Sequence, residues 1–217
     1  MDNITSLSTS DDFDRWAPSY DASVSEDGAF PFDGYDRVLT RIIELTAVQP
    51  GTSILELGVG TGNLTRSLAD LGAVMWGLDF SEDMLALARQ KVPTARLAQA
   101  DLMAGIPAEF NRRFPVIVSS YVFHEFPEAG KRLLLQRLVQ HHLEPTGRII
   151  IGDIGFPDSA AWEQARTQAA ERWDEEYYWL PDMAAQFATR SESGCCLRAN
   201  LQLRLVFRFS PTTHRGL

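Results

Sequence analysis

Apolar residues in the middle of the chain follow two alternating patterns. Short apolar runs of strand character occur at residues 53–57, 73–78, 96–99, 116–120 and 148–152. Apolar residues at helical spacing fill segments between them, at residues 64–71, 81–92 and 131–143. Strand and helix therefore alternate along this part of the chain, which predicts crossover connections and a parallel sheet.

The segment before the first strand has three parts. Residues 1–12 are rich in Ser, Thr and Asp and predict a disordered leader. Residues 13–20 bring large rings together, including Trp16 and Tyr20, which predicts a segment that folds over another part of the protein. Residues 36–47 have the apolar spacing of an amphipathic helix.

The C-terminal third has a less regular pattern. Residues 160–173 predict a helix, and residues 173–179 are both acidic and aromatic. A further helical turn is predicted at residues 182–187 and a turn at residues 190–194. Apolar and polar residues alternate along residues 197–209, which predicts one long half-buried strand or two strands joined at a tight bend.

Three alternating glycines, Gly58, Gly60 and Gly62, separate the first strand from the helix that follows it. Glycine lets a backbone turn tightly and approach a ligand closely, and a helix N-terminus offers unpaired N–H groups. Strand, glycine turn and helix are together typical of a nucleotide cradle. Taken alone, this turn could hold NAD, FAD or S-adenosylmethionine.

Three carboxylates narrow the choice of ligand. Glu56 lies two residues before the first glycine, and Asp79 ends the second strand, where a carboxylate can bind both hydroxyls of a ribose. Asp101 follows the third strand and can reach a purine edge. The glycine spacing also differs from the Gly-x-Gly-x-x-Gly fingerprint of dinucleotide sites. These features favour S-adenosylmethionine over a dinucleotide.

With Pro145 and Gly147 before the fifth strand, this set resembles the class I S-adenosylmethionine-dependent methyltransferases. The stretches that match lie at residues 55–62, 78–81, 99–101 and 143–151. Further stretches resemble a bacterial methyltransferase family often called YrrT-like, which is associated with sulfur amino-acid recycling. Those stretches are residues 13–21, 59–65, 119–124 and 173–178.

The resemblance implies an α/β, Rossmann-like, doubly wound fold with helices on both faces of a mostly parallel sheet. Seven strands in the order 3-2-1-4-5-7-6 are expected, with the seventh antiparallel. One methyltransferase domain would span residues 13–217: a lid and helix at 13–50, a cofactor-binding core at 51–153, and substrate-side helices and edge strands at 154–217. The single alternating run near the C-terminus departs from this pattern.

The resemblance also assigns roles around the glycine turn. The glycines would contact the methionine part of the cofactor, the two aspartates its ribose and adenine, the serines after the fourth strand its amino-acid end, and two rings would close the site. The cofactor-binding residues implied in this way are Glu56, Gly58, Gly60, Gly62, Asp79, Asp101, Leu102, Ser119, Trp16 and Tyr20, with Ser120 beside Ser119.

Candidates for the chemical step are fewer. His124 follows the fourth strand at the end of the sheet where ligands bind, and is either a general base for a hydroxyl or amine acceptor or a structural histidine. Tyr20 could face the positive sulfur with its ring or be an ordinary lid residue. Tyr121 and Glu125 are weaker candidates. The acidic and aromatic residues 173–179 could guard the acceptor pocket or form a solvated helix face.

Composition excludes several classes of protein. A net charge of -9 without a basic stripe argues against nucleic-acid binding. Cys195 and Cys196 are adjacent, which indicates neither a disulfide framework nor the usual zinc spacing, so no metal is predicted. No apolar run approaches the ~20 residues of a membrane span, and the N-terminus lacks the apolar region of a signal peptide. A cytoplasmic protein, monomeric or homodimeric, is expected.

The predicted function is therefore an S-adenosylmethionine-dependent methyltransferase that acts on a small molecule. The methyl group would move by in-line displacement and leave S-adenosylhomocysteine as the product. One alternative is a non-catalytic S-adenosylmethionine-binding sensor or partner protein. A less favoured alternative is an NAD-dependent oxidoreductase.

Overall fold

A computed structural model describes residues 8–25, 32, 34–169, 173, 176–180 and 202–208. Its helices are α1 (Ser10–Ser25), α2 (Tyr35–Thr46), α3 (Asn63–Asp70), α4 (Glu82–Lys91), α5 (Glu128–Arg137) and α6 (Ser159–Ala169). Its strands are β1 (Ser53–Leu57), β2 (Val74–Asp79), β3 (Arg96–Gln99), β4 (Phe114–Ser120), β5 (Leu143–Ile154) and β6 (Gln202–Arg208). Short 3-10 turns lie at Ala108–Phe110 and Phe123–Glu125, and a π-helical turn, Leu138–His142, extends α5.

The six strands form one sheet in the order β3-β2-β1-β4-β5-β6, and every neighbouring pair is parallel. The strand order reverses between β1 and β4, because β2 and β3 extend the sheet on one side and β4 to β6 on the other. In open α/β sheets, ligands bind at the carboxyl ends of the strands at such a switch point. The five strands and the parallel sheet predicted from the sequence are confirmed.

The predicted seven-stranded order is not confirmed. The neighbour of β5 is β6, which pairs with it in parallel from Arg148↔Gln202 to Ile154↔Arg208, where the prediction placed an antiparallel seventh strand. The rest of the predicted alternating run, residues 197–201 and 209, lies outside the described residues. Residues 144–147 are part of β5, and the register of its pairing with β4 shifts between Leu143 and Arg148.

Residues 10–12, which the sequence assigns to a disordered leader, are the start of α1. Helix α1 begins at Ser10, and the backbone N–H and the hydroxyl of Thr9 donate to the Asp12 carboxylate at 2.9 and 2.7 Å, which caps the helix start. Residues 1–7 lie outside the described part of the chain. The same holds for the helical turn, the turn and the cysteine pair predicted within residues 182–196.

The core has two layers because side chains alternate across the sheet. On one face, Leu55 and Ile117 pack in a cluster with residues of α5. On the other face, Ile54 and Val118 pack in a cluster with residues of α2 and α3. Strand residues of opposite parity therefore enter opposite layers, and helices cover both faces as the sequence predicts.

Glu56 is a carboxylate in this otherwise apolar core. It is 1% exposed, and its Oε2 accepts a hydrogen bond of 2.6 Å from the Thr65 hydroxyl on α3. Among the described residues its Oε1 has no hydrogen-bond partner. Burial raises the pKa of Glu56 to about 8. The folded protein therefore holds a proton on Glu56 that the unfolded chain releases at a much lower pH.

This proton makes the stability of the unliganded protein depend on pH. Because the pKa is higher in the folded state, the stabilising contribution is complete below about pH 4.5 and is lost as the pH rises towards about 8. We expect Glu56→Gln to remove this loss. The free energy of unfolding of the Glu56→Gln variant, relative to that of the parent protein, should rise between pH 5 and 8 by up to about 1.4 kcal/mol per pH unit.

Urea unfolding at pH 5, 6.5 and 8 measures this difference. Glu109→Gln, a substitution at an exposed glutamate, is the matched control and should show no such trend. A Glu56→Gln advantage that stays constant over this pH range would contradict the assignment.

Candidate active site

The glycine turn connects β1 to α3, and each of its glycines has positive φ: 73° at Gly58, 54° at Gly60 and 89° at Gly62. A Cβ on Gly58 would lie 2.0 Å from Val122 Cγ2, and one on Gly62 would lie 3.1 Å from Ala88 Cα. A Cβ on Gly60 would meet none of the described atoms within 4 Å. Two glycines are thus required for packing, whereas Gly60 leaves open space above the turn.

Asp79, at the end of β2, fixes this turn in place. Its Oδ2 accepts a hydrogen bond of 2.6 Å from the Gly60 N–H, and its Oδ1 accepts one of 2.9 Å from the Ser81 N–H. The side chain is 8% exposed, and burial raises its pKa. One carboxylate therefore joins the glycine turn after β1 to the loop that begins α4.

A cavity of about 350 Å³ lies at this end of the sheet. The glycine turn, the loops after β2, β3 and β4, and one face of α1 line this cavity. Asp101 is held in its wall, because its Oδ1 accepts a hydrogen bond of 2.8 Å from the Met103 N–H. The sequence-predicted site residues that line the cavity are Trp16, Tyr20, Gly58, Gly60, Asp79, Asp101, Leu102, Ser120 and His124.

Three other predicted residues lie behind the cavity wall. Glu56 binds Thr65, Gly62 packs on α4, and the Ser119 hydroxyl donates to the Leu57 carbonyl at 2.9 Å. These contacts brace the strand ends that carry the cavity-lining residues.

Helix α1 forms one wall of the cavity and is fastened at both ends of α4. Asp14 accepts a hydrogen bond of 2.5 Å from the Ser81 hydroxyl at the start of α4. Asp21 pairs with Lys91 at 2.6 Å at the end of α4 and accepts a 2.6 Å hydrogen bond from the Thr61 hydroxyl in the glycine turn. These polar contacts position Trp16 and Tyr20, which lie between the two aspartates in the sequence.

Trp16 and Tyr20 belong to a cluster of aromatic rings. The two ring centroids are 4.8 Å apart in an edge arrangement, and Phe32 lies 5.6 Å from Trp16. Tyr35 and Tyr121 stack beyond Phe32 at 5.3 Å. Burial raises the pKa of Tyr20 well above its ordinary value, so its phenol stays neutral at physiological pH. The cluster offers the cavity an apolar, electron-rich wall.

The opposite part of the cavity is polar and centres on His124. The ring Nδ1 lies 2.6 Å from Asp153 Oδ1, and Asp153 also accepts hydrogen bonds from the Ile154 N–H at 2.9 Å and from Trp179 Nε1 at 2.8 Å. Asp153 is fully buried in β5. Although burial opposes ionisation, the charge and hydrogen bond of His124 lower its pKa. An ionised carboxylate only accepts, so Nδ1 carries the proton and Nε2 faces the other way.

His124 Nε2 faces two further carboxylates, Glu176 Oε1 at 3.9 Å and Glu125 Oε1 at 4.0 Å. Burial alone would lower the pKa of His124, but the charge of Asp153 and its hydrogen bond, followed by the two glutamates, raise it to about 9. Both His124 and Glu125 are 7% exposed. The ring is therefore an imidazolium near neutral pH in the unliganded protein.

The residues around this cluster hold it together. Glu125 accepts hydrogen bonds from the Ser8 backbone N–H and hydroxyl, at 3.0 and 3.1 Å. The Tyr177 N–H donates to the His124 carbonyl at 2.9 Å, and Lys131, which is fully buried, donates to the Tyr177 carbonyl. Burial lowers the pKa of Lys131 to about 8. The segment at residues 176–180 is thereby fixed against the loop after β4.

Sequence reasoning missed several of these residues. Asp153 carried a signal, because it interrupts the apolar run of β5. Glu176 lies in the acidic and aromatic segment predicted either to guard the acceptor pocket or to form a solvated helix face, but its spacing indicates no partner. Asp14 and Asp21 lie in the stretch 13–21 that resembles the YrrT-like family, but no role is predicted for them, since an aspartate on an N-terminal helix is most simply a solvated residue.

Comparisons with known proteins agree with this geometry. A family model described as a methyltransferase domain matches residues 54–147. An uncharacterized methyltransferase of Anoxybacillus flavithermus is 32% identical over 192 residues, which cover 82% of this chain and 87% of the relative. One of Geobacillus kaustophilus is 34% identical over 191 residues, which cover 82% and 85%.

The chain belongs to the S-adenosylmethionine-dependent methyltransferases. Its fold resembles that of the magnesium protoporphyrin IX methyltransferase of Synechocystis, crystallised with S-adenosylhomocysteine, with a TM-score of 0.62 and 18% identity. That match covers 80% of this chain and 83% of the other. The methyltransferase is thus an enzyme whose cofactor is S-adenosylmethionine. Within the described ranges, no helix of this methyltransferase is both long and apolar enough to cross a membrane.

The glycine turn of this methyltransferase predicts different effects for two substitutions. An alanine at either position has positive φ, which costs about 1–2 kcal/mol. Gly58→Ala should lose more stability than that, because its Cβ overlaps Val122. Gly60→Ala should lose little stability beyond this cost of positive φ, because its Cβ enters open space. The same Cβ would occupy space above the turn where the cofactor binds, so S-adenosylmethionine binding should weaken by at least about tenfold, or 1.4 kcal/mol.

Thermal unfolding and calorimetric titration with S-adenosylmethionine measure the two effects. Full cofactor affinity in Gly60→Ala would mean that the open side of the turn does not face the cofactor. Equal losses of stability would mean that Val122 does not close the space beside Gly58.

Proposed function

We propose that this enzyme transfers a methyl group from S-adenosylmethionine to a small-molecule acceptor that binds in the cavity beside the glycine turn. The observation that carries the proposal is that one cavity joins three features: the glycine turn with its carboxylates, the aromatic face of α1, and the polar cluster around His124. The first two suit the cofactor. The third suits a polar acceptor.

The residues of the cofactor half fit S-adenosylmethionine. The open space above Gly60 can hold the methionine part of the cofactor. Asp79 lies beside this space, at the strand end where a ribose is bound in such folds. Asp101 and Leu102 line the cavity after β3 and are assigned to the adenine. Ser120 is assigned to the amino-acid end. Glu56, Gly62 and Ser119 support the turn from behind it.

Helix α1 acts in this proposal as a lid over the reacting groups. Its polar contacts to α4 and to the glycine turn hold two rings against the cavity, and an aromatic face attracts a cation. A lid excludes water and keeps donor and acceptor aligned, which is the largest contribution that a protein makes to such a displacement.

The bound cofactor supplies a methyl group on a positive sulfur: the acceptor's lone pair forms the new bond to carbon while the carbon–sulfur bond breaks and its electron pair stays on sulfur. The chain's own part is to orient the acceptor and take up its proton. Because the pKa of His124 is raised to about 9, its ring donates near neutral pH and does not serve as a free base. In the absence of a bound cation, Glu125 and Glu176 are the proton acceptors next to it.

The same proposal describes a cytoplasmic enzyme, monomeric or homodimeric, that does not act on nucleic acid. Its support is the net charge of -9 and the lack of a disulfide framework among the two adjacent cysteines.

The aromatic wall predicts a difference between cofactor and product. Trp16→Leu and Tyr20→Leu keep apolar volume but remove the ring face. We expect each to weaken binding of the cationic S-adenosylmethionine by about 2- to 30-fold, the range of a cation–π contact of about 0.5–2 kcal/mol. Binding of neutral S-adenosylhomocysteine should change much less.

Calorimetric titration with the two ligands measures this ratio, and Phe13→Leu, at another cavity-lining ring of α1, is the control for lost packing. Parallel losses for both ligands would show that the rings only fill space.

The activity itself is tested with methyl-labelled S-adenosylmethionine and a small-metabolite extract. We expect label in one or a few small molecules, with an equal amount of S-adenosylhomocysteine formed. The Gly60→Ala variant is the matched control and should show little of either product. Cofactor binding without labelled products or S-adenosylhomocysteine would favour a non-catalytic binding protein.

A further inference from the structure

The polar cluster contains more donor atoms than acceptor binding alone requires. His124 Nε2, a carboxylate oxygen of Glu125 and one of Glu176 all lie within 4.8 Å of one another. All three residues line the cavity. His124 and Glu125 come from the loop after β4, whereas Glu176 comes from a segment fifty residues later. The fold therefore brings together donors that sequence spacing does not reveal.

We propose that His124, Glu125 and Glu176 form a binding site for one divalent transition-metal ion, open towards the cavity. This site differs from the sequence-based expectation of no metal. One imidazole and two carboxylates form a mixed nitrogen and oxygen set that suits Mn²⁺, Fe²⁺ or Zn²⁺.

The hydrogen bond that His124 makes to Asp153 is the kind that orients a metal-binding histidine. Its Nδ1–H donates to the Asp153 carboxylate at 2.6 Å, which leaves Nε2 as the atom that faces the cavity. Asp153 is held in turn by the Ile154 N–H and the Trp179 indole. Metal-binding histidines are commonly oriented by such a carboxylate. The ring is thus fixed in direction before any ion binds.

The gap between the donors is of the right size for an ion but not for direct hydrogen bonds. Nε2 lies 3.9 and 4.0 Å from the two glutamate oxygens, and among the described residues it makes no hydrogen bond. Metal–ligand bonds of about 2.0–2.2 Å separate neighbouring donors by roughly 3.0–3.5 Å. Side-chain rotations that shorten each of these two nitrogen–oxygen distances by about 1 Å or less therefore bring both glutamates into range.

Charge also favours a cation at this position. Three buried or nearly buried carboxylates, Asp153, Glu125 and Glu176, face His124, and Lys131 supplies one positive charge near Asp153. A divalent ion between these carboxylates offsets their negative charge and gains a bond to Nε2.

A substrate ammonium group is the competing occupant. It would donate hydrogen bonds to the two glutamates. A metal ion also uses the oriented Nε2 lone pair, which an ammonium can use only as one hydrogen-bond acceptor. The histidine therefore favours the metal.

The open side of the site gives the ion a role that rests on the proposed methyltransferase function. Three protein ligands leave coordination positions free, as catalytic metal sites do. An acceptor hydroxyl or carboxylate could bind there, and a bound cation lowers the pKa of a coordinated hydroxyl. The acceptor class implied is a small molecule with oxygen donors.

Mn²⁺ binding to the chelator-treated full chain is the test. Mn²⁺ prefers oxygen and nitrogen ligands, which keeps it away from the thiols of Cys195 and Cys196. Calorimetry and the loss of the free Mn²⁺ signal in electron paramagnetic resonance should report one ion per chain. Glu125→Gln and Glu176→Gln, which keep side-chain size, should each weaken binding at least about tenfold.

Exposed Glu109, which does not line the cavity, provides the control variant Glu109→Gln, which should bind as the parent does. Circular dichroism and thermal unfolding of each variant check the fold. Enhanced water-proton relaxation by bound Mn²⁺ should report exchangeable water at the open positions. No Mn²⁺ binding, or binding that neither glutamate variant weakens, overturns the site; bound Mn²⁺ without relaxation enhancement overturns its open side.

S-adenosylmethionine titration of the same samples separates this proposal from the proposed function. Cofactor binding with no Mn²⁺ binding overturns only the metal site. Mn²⁺ binding with no methyl transfer to any acceptor, with or without the ion, retains the metal site and overturns the catalytic function.

Discussion

The hydrogen bond from the Gly60 N–H to Asp79 is the contact on which the cofactor half depends. It joins the turn after β1 to the end of β2, the two strand ends that meet at the switch point of the sheet. The turn has positive φ at each of its three glycines. Residues in this conformation do not form regular secondary structure, so the turn has no repeating backbone hydrogen bonds to hold its shape. A buried acceptor that satisfies its amide gives the turn one fixed shape. The open side above Gly60 is the result.

Most of this half could be predicted from the sequence, because its physics is local. Strand, glycine turn and helix follow one another along the chain, and the carboxylates Asp79 and Asp101 stand where their own strands end. Parallel pairing then brings strand ends together without further information. The sequence could not distinguish residues that line the cavity from those that brace it, such as Glu56 and Ser119. That difference depends on the direction of each side chain.

The acceptor half could not be predicted in the same way, because its parts are distant in the chain. Asp153 meets His124 across two adjacent strands, and Glu176 reaches them from a segment without regular secondary structure. Charge pairs of this kind leave no periodic pattern. Residues 202–208 lie within the strand predicted at 197–209, but their parallel pairing with β5 was not predicted, since alternation indicates a half-buried strand but not its neighbour or its direction. Burial and long-range contacts decide these features.

The attachment of α1 has a consequence for the order of events in turnover. The segment that contains α1 touches both halves of the cavity: Trp16 and Tyr20 lie against the cofactor half, and Ser8 binds Glu125 in the acceptor half. A movement of this one segment thus uncovers both halves together. Donor and acceptor would share one entrance, and a product that stays bound would hinder exchange of the other.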